Sequence, residues 1–71
     1  MKLELNNVEK TIAHFERQRL SGPYLVRYKG KSFMVNNKRA AEWLYYANLI
    51  YATEPDMAER FKRHAVRMEN A

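Results

Sequence analysis

Five basic residues without an acidic neighbour distinguish the middle of this 71-residue chain. Residues 24–39 contain no Asp or Glu, but they contain Arg27, Lys29, Lys31, Lys38 and Arg39. The remaining eight Lys and Arg residues balance the eight Asp and Glu residues, so this segment supplies the whole net charge of +5. A concentrated positive charge attracts polyanions, of which the phosphate backbone of nucleic acid is the obvious example.

The spacing of these bases predicts where they lie on the folded chain. In a strand, Arg27 and Lys29 would share one face, with Lys31 near them across a turn. Lys38 and Arg39 stand at the start of an expected helix, where free N–H groups attract anions although cations oppose the helix dipole. We therefore expect one surface that binds nucleic acid, either DNA or RNA. It would be formed by Arg27, Lys29, Lys31, Lys38 and Arg39.

The same pattern has a simpler explanation. Lys and Arg keep an exposed hairpin soluble and discourage pairing between sheet edges, and charge alone does not distinguish DNA, RNA and an acidic protein. The nucleic-acid hypothesis would gain support if the ring of Tyr24 or Tyr28 were exposed, because such rings stack on bases.

A second candidate surface belongs to the apolar stretch from Ala40 to Ala52. A helix that is apolar nearly all round is normally buried, yet a chain this short has few elements to cover it. Tyr and Trp are favoured at interfaces. The alternative function is a protein-interaction module, a small regulator or inhibitor of the kind phages and mobile elements encode. It would dock or dimerise through Trp43, Tyr45, Tyr46, Leu49 and Ile50. The competing interpretation is a central core helix whose tyrosine hydroxyls reach water.

No pattern predicts catalysis, a metal site or a cofactor. The chain has no cysteine, and His14 and His64 lack ligand spacing. No phosphate-binding loop or carboxylate pair occurs. We expect a non-enzymatic protein without metal or cofactor. The lack of cysteine is compatible with a cytoplasmic location, and residues 40–52 are too few to span a bilayer, so we expect no contact with membranes.

Periodicity and turn residues predict an α+β fold in one small domain, residues 1–71, with the order helix, β-hairpin, helix, helix. Apolar residues at three- and four-residue steps predict a first helix over residues 7–20, capped by Asn6. Residues 2–5 are compatible with a short extra strand or an irregular lead-in. Alternating residues on both sides of Gly30 predict the hairpin.

Capping residues delimit the two later helices. Asn36 or Asn37 can cap a second helix over residues 38–52. Thr53 is predicted to cap a third helix, as part of a capping box with Asp56, and the helix should end near Glu69. Its inward residues are expected to be Met57, Phe61, Ala65 and Met68.

The third helix also carries a basic face, formed by Arg60, Arg63, His64 and Arg67. Asp56 and Glu59 lie four residues before Arg60 and Arg63, the favourable order for ion pairs along a helix. We expect this face to be solvated and paired with its own acids.

Overall fold

The structure, a computed structural model, describes residues 9–11, 13–14 and 23–71. Residues 9–11 and 13–14 are helical and precede a β-hairpin, which two further helices follow. The predicted α+β order of helix, hairpin, helix and helix is confirmed. The predictions for residues 2–5, for the Asn6 cap and for the bounds of the first helix lie outside the described residues.

The hairpin consists of strands β1 (Tyr24–Tyr28) and β2 (Lys31–Val35), which pair antiparallel. Its turn is the two residues Lys29 and Gly30, whose φ angles are 51° and 82°. Two central residues with positive φ define a type I′ turn, whose twist matches that of the flanking strands. The turn sets the register, in which Tyr28 lies opposite Lys31 and Tyr24 opposite Val35.

Strict alternation of burial along β1 separates the two faces of that strand. Tyr24, Val26 and Tyr28 are buried, whereas Leu25 and Arg27 between them are exposed. Successive side chains of a strand point to opposite faces, so the apolar period of two in the sequence placed one face of β1 on the helices.

The central helix spans Lys38–Ile50. Of the two predicted caps, Asn36 and Asn37, the cap is Asn37, because its side-chain oxygen accepts from the backbone N–H of Arg39 at 2.8 Å and of Ala40 at 3.3 Å. The predicted end at residue 52 is too late. The N–H groups of Thr53 and Glu54 both donate to the Ile50 carbonyl, which closes the helix there.

The C-terminal helix spans Pro55–Asn70. The prediction that Thr53 caps it is wrong, since Glu54 holds the cap position without a side-chain hydrogen bond. The connection is so short that the Thr53 hydroxyl still meets the end of the central helix, donating to the Ile50 carbonyl at 3.3 Å. No helix among the described residues is long and apolar enough to cross a membrane.

The core forms where the two helices meet beneath β1. Five alanines of these helices lie in this core and are at most 3% exposed, and such small side chains permit close packing. These are Ala40, Ala41, Ala47, Ala58 and Ala65. The inward residues predicted for the C-terminal helix are confirmed, because all of them lie in the core or pack against it. Ala58 joins them, although the sequence analysis did not include it.

Replacing Gly30 tests the turn. A Cβ at this position would meet nothing within 4 Å, so Gly30→Ala costs only the left-handed backbone, about 1–2 kcal/mol of unfolding free energy. Urea denaturation measures the loss. The control is the same chain made by chemical synthesis with D-alanine at position 30, which favours positive φ and should retain wild-type stability. Equal losses for both alanines would contradict the assigned turn.

Candidate nucleic-acid interface

The predicted basic surface is divided, because Lys29 lies in the turn and not on a strand face with Arg27. The Lys29 ammonium lies 3.3 Å from a Glu59 carboxylate oxygen. Its backbone N–H donates to the Asn48 side-chain oxygen at 3.0 Å. A type I′ turn interrupts the strand alternation after Tyr28, which is why the expected shared face does not form. Lys29 therefore joins the hairpin to both helices.

Tyr28 and Glu59 complete this contact at the turn end of the hairpin. The Tyr28 hydroxyl donates to Glu59 at 2.5 Å. Burial, followed by the hydrogen bond and the charge of Glu59, raises the pKa of Tyr28 to about 12. The Tyr28 hydrogen bond, with a smaller contribution from Lys29, lowers the pKa of the Glu59 carboxyl. Tyr24 and Tyr28 are only 5% and 4% exposed, so the condition for stacking either ring on a base is not met.

The same contact corrects the pairing expected along the C-terminal helix. Glu59 turns to the hairpin, and within residues 23–71 its ion pair is with Lys29 and not with Arg63. Asp56 and Arg60 likewise form no ion pair within 4.0 Å in this range. Arg60, Arg63 and Arg67 remain exposed. Glu59 is oriented by contacts with residues about thirty positions away in sequence. The periodicity of a helix cannot predict such contacts.

The anion-binding position expected before the central helix is occupied by the protein's own carboxylate. The Asn36 N–H donates to the two oxygens of Glu69 at 3.1 and 3.0 Å, and the Asn37 N–H donates to one of them at 2.9 Å. The Asn36 side-chain amide adds a contact of 3.3 Å. The backbone N–H of Asn36, followed by that of Asn37, lowers the pKa of Glu69 below its usual range. A phosphate would have to displace this carboxylate to reach the same N–H groups.

Four of the five predicted cations remain exposed and have no ion pair within the part of the chain that the structure describes. Arg27 projects from the exposed face of β1, and Lys31 lies at the turn end of β2. Lys38 and Arg39 begin the central helix, just beyond the other end of β2. They do not form one compact patch, but they lie on and at both ends of the hairpin.

The five residues of the predicted protein interface are not all accessible. Tyr46 and Ile50 lie in the core, with exposures of 5% and 4%. Trp43, Tyr45 and Leu49 are partly buried and pack against it. The clustering of aromatic residues on this helix thus serves mainly the core, and only margins of three side chains face solvent.

Contacts between aromatic rings bury part of these side chains, and both histidines take part in them. Trp43 lies against Phe61 and His64 with ring centroids 4.9 and 5.2 Å apart. Tyr45 stacks on His14 at 4.2 Å. No cluster of three or more metal-ligating side chains occurs among the described residues.

Two apolar residues that the sequence analysis did not select stand on the exposed face of the hairpin. Leu25 and Met34 are 64% and 63% exposed, and they are direct cross-strand partners. The alternation of β1 and β2 could have identified them, because it assigns both to the face opposite the core. Together with Arg27 and Ser32, which are also cross-strand partners, they form what we call the outer face.

An apolar groove runs beside the outer face, between β2 and the C-terminal helix. Met34 and Val66 stand at its exposed side, and Phe33, Leu44 and Ala65 lie deeper. Its volume of about 120 Å³ has room for one or two side chains. Small-molecule sites usually measure about 300–1,000 Å³, so the groove does not resemble one.

The Glu69 contact should make stability depend on acid pH. The pKa of Glu69 is lower in the folded state than its ordinary value of 4.5. Its carboxylate therefore stabilises the protein at pH values above 4.5, and this stabilisation is lost as the pH falls through the lowered pKa. Glu69→Gln should therefore lower the urea midpoint at pH 7, with little difference from wild type at pH 2. Glu42→Gln removes the same charge from the central helix and is the matched control. Equal effects of the two variants at pH 7 would contradict the Glu69 contact.

The Tyr28 contact should act at the alkaline end. Because its pKa rises from 10.0 to about 12 on folding, the phenol stabilises the protein below pH 10, and this contribution disappears as pH rises through 12. Over that window, the urea midpoint of wild type should fall more than that of Tyr28→Phe. Tyr51→Phe, which removes a hydroxyl from an exposed ring, is the control. Parallel profiles for wild type and Tyr28→Phe would rule the contact out.

Comparison of the chain with protein families, with curated proteins and with solved structures found no significant match.

Proposed function

We propose that this chain is a non-enzymatic module that binds nucleic acid by contacts to the phosphate backbone. Arg27, Lys31, Lys38 and Arg39 would make these contacts. The observation that carries the proposal is that all four are exposed and lack an acidic partner within the described residues. Lys29, the fifth base of the original prediction, is excluded because it pairs with Glu59.

The two acids nearest the hairpin do not cancel these charges by pairing with them. Glu59 is engaged by Tyr28 and Lys29, and Glu69 by the N–H groups of Asn36 and Asn37. A cation without an internal partner can pair with phosphate without first breaking an ion pair. Binding then releases counterions from the nucleic acid, which provides much of the affinity and makes it depend on salt. The proposal includes a cytoplasmic location, which would give the protein access to nucleic acid.

A protein-interaction module that docks or dimerises remains the second candidate. The observation that favours it is the partial exposure of Tyr45 and Leu49, which are four residues apart and share one side of the central helix. Sedimentation of the same samples separates the candidates. A mass that rises with concentration in the absence of nucleic acid would support this second candidate.

Salt dependence tests the leading proposal. Four phosphate contacts predict a slope of about −3.6 for log K against log salt, measured by fluorescence anisotropy with a labelled DNA duplex of about 20 base pairs. The double variant Lys38→Gln/Arg39→Gln should reduce the slope to about −1.8 and weaken binding at every salt concentration. Neither side chain contributes to the Asn37 cap, which uses only backbone N–H groups, so folding should be preserved.

The matched control removes two charges elsewhere. Arg60→Gln/Arg67→Gln gives the same net charge on exposed positions of the C-terminal helix. It should leave the slope near the wild-type value, because general attraction changes but no phosphate contact is lost. Equal loss of affinity in both double variants, or no binding of wild type at low salt, would refute the proposed surface.

A further inference from the structure

We propose that the outer face of the hairpin enters the major groove of double-stranded DNA and contacts base edges there. This inference rests on the proposed nucleic-acid function and specifies its ligand. The outer face consists of two directly opposed cross-strand pairs, Leu25 with Met34 and Arg27 with Ser32. All four side chains are exposed, and the hairpin's opposite face is covered by the core.

The dimensions of the hairpin suit this groove. Two paired strands lie about 4.8 Å apart, and the major groove of B-form DNA is about 12 Å wide, enough for a two-stranded ribbon. Strands of five residues are about 17 Å long, comparable to about five base-pair steps. Because one face of the hairpin is buried, a duplex could approach only the outer face.

The chemistry of the outer face matches what base pairs present in the major groove. In a sequence-specific complex Arg27 would exchange its phosphate contact for a base and donate two hydrogen bonds to O6 and N7 of guanine, and Ser32 opposite it can donate to or accept from a neighbouring base. Leu25 and Met34 offer an apolar surface of the kind that contacts the thymine methyl group. Leu25 and Met34 do not belong to the core, and in such a complex they would contact the bases.

Three further cations without an ion pair among the described residues flank the outer face. Lys31 lies at the turn end of β2, opposite Tyr28 and thus on the other side of the strand from Ser32, and Lys38 and Arg39 follow the other end of β2. Phosphate contacts at both ends would set the register of the ribbon, while the side chains between them read bases. Residues 24–39 contain no acid that would repel the duplex.

Two alternatives fit the outer face less well. The major groove of A-form RNA is too deep and narrow for side chains to read, so double-stranded RNA could use only the flanking cations. A protein partner would have to be acidic to match the cations on and around the hairpin, and an acidic protein would leave the guanidinium of Arg27 without the guanine edge that it can contact bidentately. Groove shape therefore favours DNA over RNA, and the donor and apolar groups of the outer face favour DNA over an acidic protein.

Anchoring by the helices holds the outer face in place before binding. Asn48 and Glu59 secure the turn end, and Glu69 secures the residues that follow β2. A ribbon fixed in this way loses little conformational freedom in the groove, which favours binding by preorganisation.

Selection from a randomised pool tests base reading. The probe is a pool of DNA duplexes with about ten randomised central base pairs, bound to the full chain at about 50 mM salt. Wild type should enrich a short motif that contains guanine next to thymine. Arg27→Lys keeps the charge but loses the two-pronged donor, so preference for that guanine should fall about 10- to 100-fold while affinity for unselected DNA stays within about threefold. Arg60→Lys on the C-terminal helix is the matched control and should change neither quantity.

Modified bases locate the contacts in the major groove. In the enriched duplex, 7-deazaguanine removes only N7 and deoxyuridine removes only the thymine methyl. The first should weaken wild type more than Arg27→Lys, because a lysine makes at most a single-pronged contact, and the second should weaken wild type but not Leu25→Ser/Met34→Ser. All substituted positions are exposed, so the variants should remain folded, which circular dichroism checks.

The outcomes separate this inference from the function on which it rests. Salt-dependent DNA binding with no enriched motif, or with no response to either modified base, overturns the major-groove contact and leaves phosphate binding intact. Double-stranded RNA bound as tightly as the enriched DNA also overturns it. No binding to any nucleic acid at low salt refutes both proposals and returns attention to a protein partner.

Discussion

Two carboxylates on the C-terminal helix hold the hairpin in place, and the rest of the arrangement depends on them. Glu59 binds the turn end through Tyr28 and Lys29, and Glu69 binds the backbone that follows β2. Ten residues along a helix span about 15 Å, close to the length of about 17 Å of a five-residue strand. An isolated two-stranded hairpin is marginally stable, so anchoring at both ends, together with the core beneath β1, allows this one to persist.

This anchoring also decides which charges are exposed. Glu59 and Glu69 engage the hairpin itself, whereas the arginines of the same helix remain in solvent. The N–H groups of Asn36 and Asn37 are engaged by Glu69, those of Arg39 and Ala40 by the Asn37 side chain, and Lys29 is paired. Positive charge is therefore presented by long side chains and not by a backbone cradle. Such side chains suit contacts with an extended polyanion better than capture of a single phosphate ion.

Local patterns predicted most of the fold but only part of the candidate site. The alternation of β1, the Asn37 cap and the inward residues of the C-terminal helix follow from neighbours within a few positions. The partners of Glu59 and Glu69 lie about thirty residues away in sequence, and no periodicity relates them. The sequence shows which segment carries the cations, but it does not show that Lys29 is paired or that the N–H groups before the central helix are engaged by Glu69.

The exposed pair of Leu25 and Met34 shows how a small domain can separate stability from recognition. A chain of 71 residues has few elements, and here the helices cover only one face of the hairpin. Because the anchors act at the ends of the hairpin and the core acts from beneath, the outer face contributes little to folding. The side chains of the outer face can consequently vary to suit a ligand without much effect on folding. In the proposed complex, DNA would cover this apolar pair in its major groove, and the cations on and beyond the hairpin would contact the phosphate backbone on either side.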